Sequence, residues 1–155
     1  MALLGKTDGE GAEGTSYLDM ADFIKSNGSS PKQDLKELWK RIVFNMAVSN
    51  TDDHLRNHGF LLTERGWKLS PAYDVNPNVY GDMLSLYVSP DDNAISFELA
   101  ASTAEYYDIT ASEARRIIAA MQETIAEHWR LIASGHGLSK NAISRMEPAF
   151  DMEYK

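Results

Sequence analysis

The run Ser49-Asn50-Thr51-Asp52-Asp53-His54-Leu55-Arg56-Asn57-His58-Gly59 gathers more reactive side chains than any other stretch of this chain. Asp52 and Asn57 are separated by four intervening residues, and Asp74 follows beyond a short apolar-turn-apolar pattern. Phosphoryl transfer needs little covalent chemistry from a protein. It requires a carboxylate that orients and deprotonates the attacking hydroxyl, and oxygen ligands for magnesium that neutralise phosphate charge. In protein kinases an Asp and an Asn at this separation share one loop, and a second Asp follows a hairpin. Asp52 is accordingly the candidate base, with Asn57 and Asp74 as candidate magnesium ligands. An Asp and an Asn at this spacing recur by chance in many chains, so the order of helix, polar loop, hairpin and Asp loop is what gives the pair meaning. The competing reading is that these are ordinary turn and capping residues. Asp53 reads as a solvated neighbour of the base. His54 reads as a structural residue that holds the loop backbone by hydrogen bonds, and His58 has no assigned role.

The elements that must position these groups are legible around them. Ser16 with Asp19 makes a capping box before a short helix from Tyr17 to Asn27, closed by Gly28. Ser30, Pro31 and Gln33 form a second start signal. Leu35, Leu38, Trp39, Ile42, Val43, Met46 and Ala47 then recur at helical spacing, which predicts a long helix running into the polar loop. Phe60 to Leu62 and Trp67 to Leu69 read as strands joined by a tight turn from Thr63 to Gly66. Pro71 and Pro77 forbid helix across the segment that carries Asp74. Leu84 to Val88 reads as another strand, and Phe97 to Tyr107 as a helix. Thr110 and Glu113 make a further capping box before a long helix to about Ser134, striped by Ile117, Ile118, Met121, Ile125, Trp129 and Ile132. A last helix starts at Ser139 and uses Ile143, Met146 and Phe150. The expected architecture is mostly α with a small β-hairpin element, an α+β arrangement.

Composition bounds the partners. With 155 residues of which 43% are hydrophobic, the chain is long enough to bury one core. Residues 1–15 form a Gly-rich, acidic segment expected to be flexible, and 16–155 a single domain. A formal net charge of −8 argues against direct binding to nucleic acid, which depends on clustered Lys and Arg. The chain has no cysteine, so thiolate chemistry is absent and a cytoplasmic location is the simpler expectation. No apolar run is long enough to suggest a membrane span.

The segments Thr51-Asp52-Asp53-His54-Leu55-Arg56-Asn57-His58-Gly59-Phe60 and Leu69-Ser70-Pro71-Ala72-Tyr73-Asp74-Val75 together resemble the HipA-like serine/threonine kinases of bacterial toxin-antitoxin systems. That family's loop reads T-D-x-H-x-K/R-N and is followed, after a hairpin, by P-x-Y-D. Asp52, His54, Arg56, Asn57 and Asp74 therefore map onto it without a gap, His54 and Arg56 as supporting loop residues. The stretch from Leu3 to Ile24 also resembles the lead into the family's C-terminal helical domain. The resemblance implies a kinase-like large C-terminal lobe, ATP and Mg2+ as cofactors, and transfer to serine or threonine of a protein substrate. It also implies restraint by an antitoxin-type DNA-binding partner.

A complete kinase adds a small lobe with a phosphate-covering loop and a strand lysine. Gly9 to Gly14 formally satisfies G-x-G-x-x-G, but Glu10 and Glu13 would face phosphate with like charge, and Gly5-Lys6-Thr7 lacks the earlier glycine of a P-loop. Both read as loop. The chain is therefore expected to be a large lobe that needs an N-terminal lobe as partner and has little kinase activity alone, whether as a gene remnant or as one half of a split kinase. The alternative is a non-catalytic α-helical interaction or regulatory module, in which the helix stripes bind a partner and the acidic loop is a solvated end.

Overall fold

Tyr17, Met20, Ala21 and Ile24 repeat at helical spacing and all are buried. A computed structural model of the chain, describing residues 15–153 and 155, forms them into helix α1 (Tyr17–Asn27). The glycine-rich motifs at Gly5 to Gly14 lie outside the described residues. The expected capping box is present: Ser16 accepts from the Leu18 amide, and Asp19 accepts from the Ser16 amide.

Helix α2 (Pro31–Ala47) is the centre of the fold. Leu35, Leu38, Trp39, Ile42, Val43 and Met46 are fully buried along it. Each such side chain contributes roughly 2 kcal/mol by leaving water. Its start differs from expectation, because Ser30 makes no side-chain cap. The Ser30 carbonyl already accepts from the Gln33 and Asp34 amides, and Pro31 removes a donor that would need capping.

Strands β1 (Phe60–Thr63) and β2 (Gly66–Leu69) pair antiparallel, with Phe60 opposite Leu69 and Thr63 opposite Gly66. Gly66 adopts φ +124°, and a Cβ there would sit 2.6 Å from the Asn27 carbonyl oxygen, so only glycine fits the turn against the end of α1. The buried Asp34 carboxylate accepts the Leu69 amide at 3.0 Å, which pins the hairpin to α2.

The segment from Leu84 to Val88 is not a strand. Leu84, Leu86 and Val88 are buried with the alternation of one, but the segment changes partner along its length. Met83 bridges Ala94, whereas Tyr87 pairs with Thr15 and Tyr17. The helix expected from Phe97 to Tyr107 breaks at Thr103 into α3 (Phe97–Ser102) and a 3-10 turn over Ala104–Tyr107. Trp39 Nε1 donates to the Ala100 carbonyl at 2.9 Å, fixing α3 on α2.

Helix α4 (Ala111–Gly135) buries Ile118, Ile125 and Trp129, but Ile132 is 57% exposed, so the apolar stripe stops before the helix does. Only half of its capping box forms: Thr110 accepts the Glu113 amide, while the Glu113 carboxylate pairs with Lys36 on α2. Helix α5 (Lys140–Met146) follows the Ser139 cap, and a 3-10 turn over Glu147–Phe150 stacks Phe150 on Trp129. Among the described residues the result is mostly α with one small hairpin, packed around an apolar cluster. Among the described residues no helix is long and apolar enough to cross a membrane.

Candidate active site

Helix α2 ends at Ala47, and Ser49 reverses the chain with φ +53°. Asn50 then folds back on the helix, its amide donating to the Asn45 carbonyl at 2.8 Å and its Nδ2 to Asn45 Oδ1 at 3.1 Å. Asp52 comes next and is exposed. Its carboxylate makes no hydrogen bond or ion pair among the described residues.

Asp53 is not the solvated neighbour expected of it. It is 3% exposed, and its Oδ2 accepts from the Tyr17 hydroxyl at 2.5 Å, from Asn45 Nδ2 at 2.8 Å and from His58 Nε2 at 2.9 Å. Three donors replace the water that burial removes, which lets a carboxylate sit in the core. Burial, and then the adjacent Asp53 charge, hold the Tyr17 hydroxyl well above its ordinary pKa. Asp53 follows Asp52 and His58 follows Asn57, so the Asp53–His58 contact ties together the two ends of the segment that carries both candidate residues. The sequence offered one signal for this network, the placement of an Asp and a His directly after Asp52 and Asn57. Nothing in it marked Tyr17 or Asn45, which sit among ordinary helix positions.

Within the clasp, Leu55–Asn57 form a 3-10 turn. Asn57 is buried, and its Nδ2 reaches the Asp52 carbonyl at 3.5 Å. Asn57 Oδ1 accepts no hydrogen bond among the described residues. His54 does not hold the loop backbone as expected: its Nε2 lies 3.2 Å from Arg56 Nη2, and its buried Nδ1 has no partner.

Asp74 arrives on a separate segment that is tied to this loop at three points. The Tyr73 hydroxyl donates to the Arg56 carbonyl at 2.8 Å. The Asn78 amide donates to the Ser49 carbonyl at 3.1 Å, and Asn78 Nδ2 to Thr51 Oγ1 at 2.7 Å. Asp74 itself has φ +55°, a conformation uncommon outside glycine, and its Oδ1 accepts from Asn76 Nδ2 at 2.8 Å. Among the described residues, two of the three non-glycine residues with positive φ, Ser49 and Asp74, therefore belong to these two segments.

Among the described residues no three His, Asp or Glu side chains cluster as a metal site. Asn57 and Asp74 offer a carboxamide and a carboxylate oxygen, hard donors of the kind magnesium takes together with phosphate oxygens and water. The uncommitted Asn57 Oδ1 fits that use.

Residues 1–129 match the family model described as the HipA-like C-terminal domain, and the chain belongs to that family. It is 30% identical over 71 residues to a Sinorhizobium fredii protein named "Putative kinase Y4mE", covering 45% of this chain and 17% of that protein. It is 31% identical over 71 residues to a Haemophilus influenzae protein named "Putative kinase", covering 45% of this chain and 21% of that one. The matched stretch thus spans about a fifth of the length of these relatives.

Proposed function

We propose that the chain is the C-terminal catalytic lobe of a HipA-like protein serine/threonine kinase. Asp52 orients and deprotonates the substrate hydroxyl, and Asn57 and Asp74 hold magnesium. The metal supplies charge neutralisation at the phosphates of ATP when bound. The observation that carries this reading is the triple tie between the Ser49–Gly59 loop and the Tyr73–Asn78 segment, which couples the carriers of all three residues. Arg56 supports the loop through its carbonyl, which accepts the Tyr73 hydroxyl, and His54 contributes through its ring contact with the Arg56 side chain instead of through the backbone.

The nucleotide-binding lysine and phosphate-covering loop are assigned to an N-terminal lobe, so the 155-residue chain alone is expected to turn over little ATP. The kinase acts on a protein substrate in the cytoplasm, with an antitoxin-type DNA-binding protein as its restraint. Calorimetry with magnesium tests the ligand assignment: heat of binding should be lost in Asn57→Ala and Asp74→Ala. Identical responses in the wild type and both variants would remove it. Phosphate transfer by the lobe combined with its partner lobe should disappear in Asp52→Asn.

A non-catalytic interaction module is favoured by one feature, an apolar groove of about 540 Å³ between α4 and α5, lined by Ile132, Leu138, Ile143 and Met146 among others. Absence of phosphate transfer by the wild-type lobe combined with its partner lobe, with no magnesium response, would select that reading.

A further inference from the structure

Two buried nitrogens without a partner sit on residues that line one cavity. Arg41, on α2, gives its Nη2 to the Ser70 carbonyl at 2.7 Å and its Nε to Glu37 at 3.1 Å, leaving Nη1 buried and unbonded. His58 spends Nε2 on Asp53, and its Nδ1 is likewise buried and unbonded, on a side chain only 3% exposed. Leaving such groups unmatched costs about 1–3 kcal/mol each. Both residues line a cavity of about 300 Å³ that Asn57 also borders. Neither Asp52 nor Asp74 lines it, although their neighbours Asp53, Tyr73 and Val75 do.

We propose that this cavity binds a phosphoryl oxyanion through Arg41 and His58. The guanidinium is a permanent cation, and Lys40 adds a second on the same lining. The two acidic residues there are already engaged, Glu37 with Arg41 and Asp53 with Tyr17, Asn45 and His58. A phosphoryl group presents several oxygens, so one accepts from Arg41 Nη1 while another meets His58 Nδ1 in either imidazole form. A carboxylate, with no proton to give at neutral pH, meets only one of those forms. Phe44, Val75 and Met121 wall the cavity with apolar surface, which strengthens a charged hydrogen bond inside it. The source of the group is free phosphate or a phosphorylated side chain, and the two share this chemistry.

The test is nuclear magnetic resonance of the ¹⁵N-labelled full chain, titrated with inorganic phosphate, phosphoserine, acetate and chloride at constant ionic strength. Saturable shifts of the Arg41 guanidinium and His58 ring signals are expected with phosphate or phosphoserine, and the tighter of the two identifies the source. Acetate should bind roughly tenfold more weakly or worse, and Arg41→Gln should weaken phosphoryl binding by at least about tenfold. Arg41→Lys, which keeps the charge but loses the planar fork, should fall between, in a chain that melts as the wild type does. Absence of saturable shifts, equal shifts with chloride, or undiminished binding in folded Arg41→Gln would overturn the proposal.

Discussion

The Tyr17 hydroxyl donates to Asp53 Oδ2 at 2.5 Å, joining the first turn of α1 to the loop that carries Asp52. Asn45 Nδ2 and His58 Nε2 reach the same oxygen, so helix, helix and loop share one buried carboxylate. Removing that carboxylate strands three buried donors, whereas removing the tyrosine oxygen strands none. Asp53→Ala should therefore cost about 3 kcal/mol or more, and Tyr17→Phe about 1 kcal/mol. Urea unfolding checks both; equal losses would mean that Asp53 is not the hub.

Tyr107 presents the opposite situation. Its ring is fully buried while its hydroxyl has no hydrogen-bond partner. Deleting a buried, unmatched hydroxyl without changing the ring removes a desolvation penalty. Tyr107→Phe is expected to leave stability at neutral pH unchanged or to raise it by up to about 1 kcal/mol. A loss of more than that in thermal unfolding would show that the oxygen has a favourable role.

Stability should respond to alkaline pH in two opposed ways. Burial, opposed by the Asp151 charge, lowers the Lys155 pKa from 10.5 to about 8. Between those values the unfolded chain binds a proton that the folded chain has shed, so stability rises with pH across that window. The side chain is partly exposed, so solvent screening limits the gain to about 1 kcal/mol. Tyr17 and Tyr107 are both raised above the ordinary 10.0, chiefly by burial. Above pH 10 the unfolded chain loses those protons first, and stability falls. Denaturant midpoints measured across this range should climb gently and then drop. Lys155→Met should flatten the climb and Tyr107→Phe soften the drop.

The helices were readable because their stripes have a clean period: Leu35 to Met46 of α2 is buried as its spacing requires. The hairpin followed from two short β-prone runs around Thr63 to Gly66. Misreadings fell where tertiary partners decide. Leu84 to Val88 has strand periodicity but no continuous neighbour, and Glu113 leaves its capping role for Lys36 on another helix. At the candidate site, Asp52, Asn57 and Asp74 were candidates by type and order alone, and the structure ties together the segments that carry them. Asp53 could not, because an Asp in a polar loop looks solvated until Tyr17 and Asn45 are brought against it from helices distant in sequence.

The end of the chain is tied to the candidate loop through one carbonyl. The Ala149 oxygen accepts from Ser49 Oγ at 3.0 Å and from Lys155 Nζ at 2.8 Å, while Lys155 also donates to the Ala47 carbonyl at 3.0 Å. Helix α5 buries no residue of its own, so this segment depends on Phe150, stacked 4.2 Å from Trp129 at 7° between planes. Phe150→Ala removes the stack and should free Ala149 to leave Ser49. The outcome expected is faster amide hydrogen exchange at residues 140–153 and in the Ser49–Asn50 turn, with the α2 interior still protected. A parallel loss of protection throughout α2 would instead mean that Phe150 belongs to the global core and not to a locally cooperative end.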